Sequence, residues 1–181
     1  MYRMLRKIFT VPLKVNSERQ IRGVDEVEIL GKAIKERANK IFGGSIAIRE
    51  VAAGSSNAEE QELVALTNAY YDIERFGVHF VASPRHADMI FVTGPVSRNM
   101  ADGLRHTYAA MPTPKWVVAI GDGAIDGSIY RGSYAVYDRA EDIVPVDFKI
   151  PGDPPSPKTI LRELLEILDT IDQNRSKDLK E

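Results

Sequence analysis

The chain has 181 residues, of which 44% are hydrophobic and 28% charged, which is the composition of an ordinary globular domain with a sizeable core. Its 24 basic and 26 acidic residues give a net charge of −2, so the charge does not indicate a nucleic-acid partner. The sequence contains no cysteine, which excludes disulfides, thiolate metal sites and a cysteine nucleophile within these residues.

Residues 1–24 are predicted to form an N-terminal arm. Apolar side chains between Met1 and Phe9 are interspersed with basic ones, a pattern that suits a short amphipathic helix. Such a segment can lie on a membrane surface, dock on a partner subunit or pack on its own domain, and we expect partner docking. No apolar run approaches the roughly 20 residues that a membrane-spanning helix needs, so we expect no transmembrane segment.

Two helices and a strand are predicted in the first part of the domain. The first helix spans 25–42, with Asp25 as its N-cap. A strand follows over 45–52 because apolar and polar residues alternate there. The second helix is expected to begin after Asn57, with Asn57 as the N-cap and Glu60 as the reciprocal residue of a capping box.

The rest of the chain continues to alternate between strands and helices. This order predicts an α/β sandwich around a mainly parallel sheet, in a single domain of residues 25–172. The charged tail 173–181 is expected to fray. The remaining elements are predicted as strands over 78–82, 89–93, 115–123 and 143–150, and as helices over 100–111 and 157–171.

Four loops rich in glycine or proline each follow a predicted strand, at 53–57, 94–98, 121–128 and 151–157. The carboxyl ends of parallel strands meet at one edge of a sheet, where ligands bind in folds of this class. We therefore expect these loops to converge on the working surface of the protein.

Two of the chemistries considered for this surface depend on the segment GSSN before the second helix. A hydrolase would pair Ser56 with His86 or His106, but the sequence has no GxSxG motif. A phosphate site would use the helix N-terminus, but Glu59 and Glu60 in the first turn would repel an anion, and no phosphate-binding glycine motif is present.

Two further interpretations of the loops stay open at this point. Glu59, Asp122, Asp126 and Asp153 supply oxygen ligands for a hard cation, although carboxylates in such loops more often cap helices and turns. The alternative is a protein–protein surface.

Longer segments of the chain identify a family. The sequence NAEEQELVALTNAYYDIERFGVHFVASPRHADMIFVTGPVSRNM (57–100), continued by PKWVVAIGD, VPVDFKIPG and PPSP, closely resembles the small iron–sulfur subunit shared by respiratory complex I and membrane-bound group 4 [NiFe]-hydrogenases. The segment SPRHADMIFVTGPVSRNM is more similar to the energy-converting hydrogenase branch, which includes formate hydrogenlyase. The resemblance implies a flavodoxin-like three-layer sandwich.

The resemblance also implies a cofactor that this chain lacks the ligands to hold. Relatives bind a [4Fe–4S] cluster through four cysteines, which match positions 56, 59, 123 and 153 of this sequence. Those positions are Ser56, Glu59, Gly123 and Asp153 here. Iron–sulfur clusters need thiolate ligands, so we expect no cofactor at this site.

The same resemblance suggests residues for partner contact. Arg75, Arg85 and His86 match positions that lie near the cluster-side loops and the subunit contact in relatives. The alternative for Arg75 is an ion pair with Asp72 or Glu74, and the alternative for His86 is a structural role in a turn.

The function implied by the resemblance is that of a cluster-less structural or accessory subunit of a membrane-associated oxidoreductase complex. Its expected partners are a large catalytic-type subunit and membrane-arm subunits, with the chain cytoplasmic and held peripherally at the membrane. The family is one of oxidoreductases, but this chain alone is not expected to be catalytic. One alternative is an electron-transfer subunit that holds a [4Fe–4S] cluster and passes electrons to quinone or a nickel–iron centre. Another is a repurposed stand-alone binding module, for which a monomer stabilised by nucleotides would be the signal. Separately, a homo-oligomer is a possible form of the isolated chain.

Two expectations concern the surface itself. Without a cluster, the loops should close so that Ser56, Glu59 and Asp153 remain near one another. The face formed by Ser56–Glu59 and Arg85–His86 should carry exposed apolar residues, because docking surfaces do.

Overall fold

The computed structural model describes residues 17–178. The N-terminal arm predicted over residues 1–24, with the partner contact expected of it, lies largely outside these residues. Short 3₁₀ turns join several elements. In chain order the elements are α1 (Ser17–Phe42), β1 (Ile46–Ala52), α2 (Ala58–Leu66), β2 (Val78–Phe80), β3 (Met89–Thr93), β4 (Val96–Ser97), α3 (Arg98–Ala110), β5 (Trp116–Ile120), α4 (Gly121–Asp126), β6 (Val136–Tyr137), β7 (Phe148–Ile150) and α5 (Pro157–Asp178).

Five parallel strands form the main sheet, in the order β2-β1-β3-β5-β7. This order is the flavodoxin-like one, in which the second strand lies outside the first and the later strands extend the other side. The predicted α/β class and mainly parallel sheet are confirmed. A separate two-stranded antiparallel ladder joins β4 to β6, with Val96 opposite Tyr137.

Apolar residues cover both faces of the main sheet, which explains why its central strands are continuous apolar runs. All five residues of β3 are buried. One face packs against α1, α2 and α5, with Phe91 and Leu164 in that core. The other face packs against α3 and α4, with Ile90 and Leu104 in its core. The protein is thus a three-layer sandwich.

The helices α1 and α5 lie side by side and run parallel. Glu26 pairs with Lys158 and Arg162 near the start of α5, while Lys40 pairs with Asp172 near its end. These ion pairs are partly exposed and contribute little each, so buried apolar contacts hold the two helices together.

Two helix boundaries differ from the prediction. The helix α1 already includes Ser17, eight residues before the predicted start at Asp25, and α5 continues to Asp178 through most of the expected tail. Because Glu26 is level with the start of α5, the nine residues before it carry α1 roughly 13 Å beyond the start of α5. That start follows β7, so α1 projects past the carboxyl edge of the sheet.

One glycine inside α1 has a packing role. A β-carbon at Gly31 would collide with the ring of Phe76, which lies directly against the helix backbone. The glycine costs helix stability but lets the 3₁₀ turn Ile73–Phe76 pack against α1. Within residues 17–178, no helix is long and apolar enough to cross a membrane.

Candidate functional site

The loops that follow β1, β3, β5 and β7 converge at the carboxyl edge of the main sheet. They enclose a small cavity of about 60 Å³, which we call the carboxyl-edge cleft. All four positions predicted to match the cluster cysteines line it. The lining residues are Ser55, Ser56, Glu59, Pro95, Gly123, Ser128, Ile129, Tyr130 and Asp153.

Three glycines allow the loops to approach this closely. Gly94 lies against the backbone of Ser55, with a φ of +68° that favours glycine. Gly121 has a φ of +82°, and a β-carbon there would lie 2.7 Å from Oε1 of Glu59. At Gly123 a β-carbon would lie 3.0 Å from Cδ of Pro95. The cleft therefore has little room for additional side chains at these three positions.

The start of α2 differs from the predicted capping box. Asn57 adopts the left-handed conformation, with a φ of 72°, and its side chain makes no capping hydrogen bond. Glu60 turns inward instead, and its Oε1 accepts hydrogen bonds from Oγ of Ser55 and, at 2.5 Å, from Oγ1 of Thr93. Glu60 thus connects the loop after β1 to the end of β3.

Glu59 is the least satisfied charged group of the site. Its side chain is 4% exposed, and its Oε2 has no hydrogen-bond partner within the described part of the chain. Burial raises the pKa of Glu59, and the neighbouring carboxylates of Glu60, Asp153 and Asp122 raise it further, against a lowering by its own backbone. The neighbouring charges that affect this pKa are therefore all negative.

The aspartates around the cleft mainly hold its loops together. Asp122 and Gly152 exchange two hydrogen bonds, of 2.8 and 2.9 Å, that join the start of α4 to the loop after β7. Asp153 accepts a hydrogen bond of 3.1 Å from Oγ of Ser128. Asp126 accepts one of 2.9 Å from the backbone N–H of Ser128. These contacts favour the capping role over the hard-cation site.

The residues present do not fit a [4Fe–4S] cluster. Ser56, Glu59 and Asp153 offer oxygen ligands where such clusters use thiolates, and Gly123 offers no ligand. Across residues 17–178, no group of three or more His, Cys, Asp or Glu side chains has the arrangement of a metal site.

The hydrolase interpretation is not supported by the geometry. Neither His86 nor His106 is among the described residues that line the cleft with Ser56. His106 is exposed on α3, and His86 belongs to the 3₁₀ turn Pro84–His86 before β3. Ser56 therefore has no histidine base within this cleft.

Arg85 and His86 lie away from the cleft, which corrects the expectation that they share a face with Ser56–Glu59. Arg85 and His86 are exposed and closely precede Asp88, whose backbone N–H donates to the carbonyl of Ala47 near the start of β1. From Ala47 to the end of β1 at Ala52 is a distance of roughly 16 Å along the strand.

Arg75 lies near the start of β2 and is engaged within the chain. Its guanidinium pairs with Glu28 at 2.6 Å and with Asp72 at 3.5 Å, and it lies over the ring of Phe76. The ion pair with Asp72 is one of the two alternatives that the sequence offered for this residue. Partner contact by Arg75, Arg85 and His86 stays a prediction.

Exposed apolar residues border the cleft on one side, in a segment to which the sequence alone assigned no role. Ile129 and Tyr130 line the cleft, and Tyr134 follows them in the same segment; we call these three residues, which are 83%, 44% and 90% exposed, the aromatic rim. Arg98 holds this segment by donating a 2.5 Å hydrogen bond to the carbonyl of Tyr134. The segment IYRGSYAVY, aromatic and glycine-containing, was the available signal in the sequence.

A larger cavity, of about 670 Å³, lies at the opposite edge, between the ends of α1 and α5 and the segment before β5. Its walls include Phe42, Trp116 and Ile171. Its charged residues are already bonded, since Asp88 accepts from the backbone of Ala47 and Arg175 donates to a backbone carbonyl. The carboxyl-edge cleft is therefore the better candidate for a functional site.

Comparison with known proteins matches residues 57–167 to the family of the NADH ubiquinone oxidoreductase 20 Kd subunit. Two NADH-quinone oxidoreductase subunits, from Rhizobium etli (strain CIAT 652) and Rhizobium meliloti (strain 1021), are each 40% identical over 115 residues. These alignments cover 64% of this chain and 68% of each relative.

Two solved structures share the fold. A chain of the membrane-bound sulfane sulfur reductase, an archaeal respiratory membrane complex, is 29% identical with a TM-score of 0.65, over 77% of this chain and 75% of that one. A chain of an NAD+-reducing [NiFe]-hydrogenase is 17% identical with a TM-score of 0.54, over 70% of this chain and 92% of that one. Together with the family match over most of the domain, these similarities establish that the chain belongs to the NADH ubiquinone oxidoreductase 20 Kd subunit family.

Proposed function

We propose that this chain is a cluster-less structural or accessory subunit of a membrane-associated oxidoreductase complex. One observation carries the proposal: the chain matches the family over residues 57–167, while the cleft at the carboxyl edge of its sheet is lined by serine, carboxylate and glycine and contains no thiolate. The chain thus keeps the fold that holds the redox group in relatives, but it lacks the side chains that would bind that group.

Electrostatics supports the loss of the cluster. A cluster held by four thiolates carries negative charge, and like charges repel strongly in a partly buried site. Glu59 and Glu60 are buried beside the cleft, and Asp153 lines it. This environment opposes a thiolate-ligated cluster even if cysteines were supplied by another chain.

Docking is supported by what surrounds the cleft. The aromatic rim exposes apolar side chains next to it, and α1 projects past the same edge of the sheet. Aromatic residues are enriched in protein interfaces, where they bury large areas at a low entropic cost. The partners we propose are a large catalytic-type subunit at this edge and, through it, membrane-arm subunits.

The proposed location follows from the partners. The relatives are subunits of NADH-quinone oxidoreductases, and the sulfane sulfur reductase is a membrane complex. We propose that this chain lies on the cytoplasmic side, held peripherally at the membrane through its partner subunits.

The deciding experiment is metal and acid-labile sulfide analysis, with an ultraviolet–visible spectrum, on protein purified anaerobically from its native source. We expect substoichiometric iron and sulfide, and no visible band that bleaches on reduction. Stoichiometric iron with a reducible band would instead establish an electron-transfer subunit.

The docking part is tested by co-purification from the same source. Tyr134→Ser removes the most exposed residue of the aromatic rim, and Tyr70→Ser removes an exposed tyrosine elsewhere as a matched control. We expect the first variant to lose associated subunits at least about tenfold, as hot-spot aromatics do, and the second to retain them. Equal recovery with both variants would exclude the rim as the docking surface.

A further inference from the structure

The buried carboxylate of Glu59 lacks a partner. Its side chain is 4% exposed and lines the carboxyl-edge cleft, yet Oε2 accepts no hydrogen bond from any described residue. An unpaired buried carboxylate is costly, and proteins keep such groups where a partner or a ligand satisfies them.

Within residues 17–178, no side chain that lines the cleft supplies a cation to this carboxylate. Among the described residues that line the cleft there is no lysine, arginine or histidine. The nearby guanidinium of Arg131 pairs with Asp126. Among the described residues, Glu59 therefore faces a site whose lining carries negative charge and no compensating cation.

The shape of the cleft limits what can enter. Its volume of about 60 Å³ has room for roughly four water-sized groups, which suits a guanidinium or an ammonium with its last methylene. Ile129 and Tyr130 form its outer wall, where an aliphatic stem can lie while the charged end reaches inward. An anion is opposed by the carboxylates, and the described residues offer too few convergent ligands for a metal ion.

We propose that the carboxyl-edge cleft binds one basic side chain, an arginine or a lysine of the docked partner subunit, with Glu59 accepting its N–H groups. Asp153 faces the same cavity and adds a second negative charge, and Ser56 adds a hydroxyl. This inference rests on the proposed function, because it requires a partner at this edge. On this proposal, the carboxyl-edge cleft is a binding site for one positively charged group.

The test uses the full 181-residue chain with ethylguanidinium and ethylammonium as probes of the two side chains. Binding is measured by calorimetry and by thermal unfolding, with potassium and tetramethylammonium at equal ionic strength as controls. We expect saturable binding of at least one probe and none of the controls, because the controls lack N–H donors.

Variants locate the binding. Glu59→Gln should weaken the probe by at least about tenfold, since removing the charge from a buried ion pair is costly. Asp153→Asn should weaken it less and provides a second variant should the first be poorly folded. Asp102→Asn removes an exposed carboxylate on α3 that pairs with Arg105, and it should leave probe binding unchanged.

Several outcomes would overturn the inference. Equal effects of probes and controls would indicate ionic strength alone, and unchanged affinity in both Glu59→Gln and Asp153→Asn would move the binding elsewhere. Saturable binding of Mg²⁺ in competition with the probe would assign the cleft to an inorganic cation. A dimer in sedimentation experiments that the probe dissociates would assign it to a second copy of this chain.

The two proposals fail separately. Substoichiometric iron without probe binding would agree with the structural role and would refute the binding of a basic side chain in the cleft. Stoichiometric iron would eliminate the cluster-less role, whatever the probe does.

Discussion

Replacement of Gly123 by alanine tests how tightly the loops of the cleft close. A β-carbon at this position would lie 3.0 Å from Cδ of Pro95 and 3.2 Å from both Cα of Gly94 and N of Pro95. These atoms belong to the backbone and to a proline ring, so they cannot move aside as a flexible side chain would. Overpacking of this kind costs about 1–3 kcal/mol.

The helical location of Gly123 offsets part of that cost. Alanine is favoured over glycine inside a helix by about 0.5–1 kcal/mol, and Gly123 lies in α4. The net expectation is a loss of about 1 kcal/mol, which for a chain of this size lowers Tm by roughly 2–4 °C. Thermal unfolding and urea unfolding should agree on its size.

Gly103→Ala is the matched control. This glycine lies inside α3, and its β-carbon would meet only the end of Met100, at 3.7 Å, which is ordinary contact. We expect it to stabilise the protein by about 0.5–1 kcal/mol. If Gly123→Ala were as stabilising as Gly103→Ala, the reasoning about loop closure would be refuted, and the third matching position could accommodate a cysteine.

Two further predictions concern Glu59 and Gly31. The folded state raises the pKa of Glu59 above its ordinary value of 4.5, mainly by burial. The contribution of Glu59 to the free energy of unfolding is therefore complete below pH 4.5, where the carboxyl is protonated, and it is lost as the pH rises through the folded-state pKa. Glutamine does not titrate, so Glu59→Gln keeps its stability over this pH range. The Tm of the variant minus the Tm of the native chain should therefore rise from acidic to mildly alkaline pH, and a Tm difference that does not change with pH would contradict the raised pKa. Gly31→Ala should cost about 1–3 kcal/mol in urea unfolding, because its β-carbon collides with the ring of Phe76, and an unchanged midpoint would show that the ring can move.

The convergence of the four loops could be predicted from the sequence because it needs only parallel strands. Once the strands run the same way, every loop that follows one lies at the same edge, whatever the strand order. The segments 53–57 and 151–157 therefore meet in the cleft as expected. The partners of Glu60 could not be predicted, since Ser55 and Thr93 meet it only through strand packing.

The position of Arg85 and His86 depends on strand order, for which the sequence carries no direct signal. Because β1 lies between β2 and β3, the connection that holds these residues passes across the sheet and approaches the start of β3. Asn57 illustrates a different difficulty. Asparagine is favoured both as an N-cap and in the left-handed conformation, and local sequence does not decide between them.

Both outer strands of the main sheet are short. β2 and β7 have three residues each, and Pro151, which cannot donate a backbone hydrogen bond, follows β7 directly. A short edge offers few free N–H and C=O groups to a strand from another chain, and natural sheets avoid uncontrolled association in this way. The chain is thereby protected from polymerising through the edges of its main sheet, which leaves the side chains around the cleft for the docking proposed above.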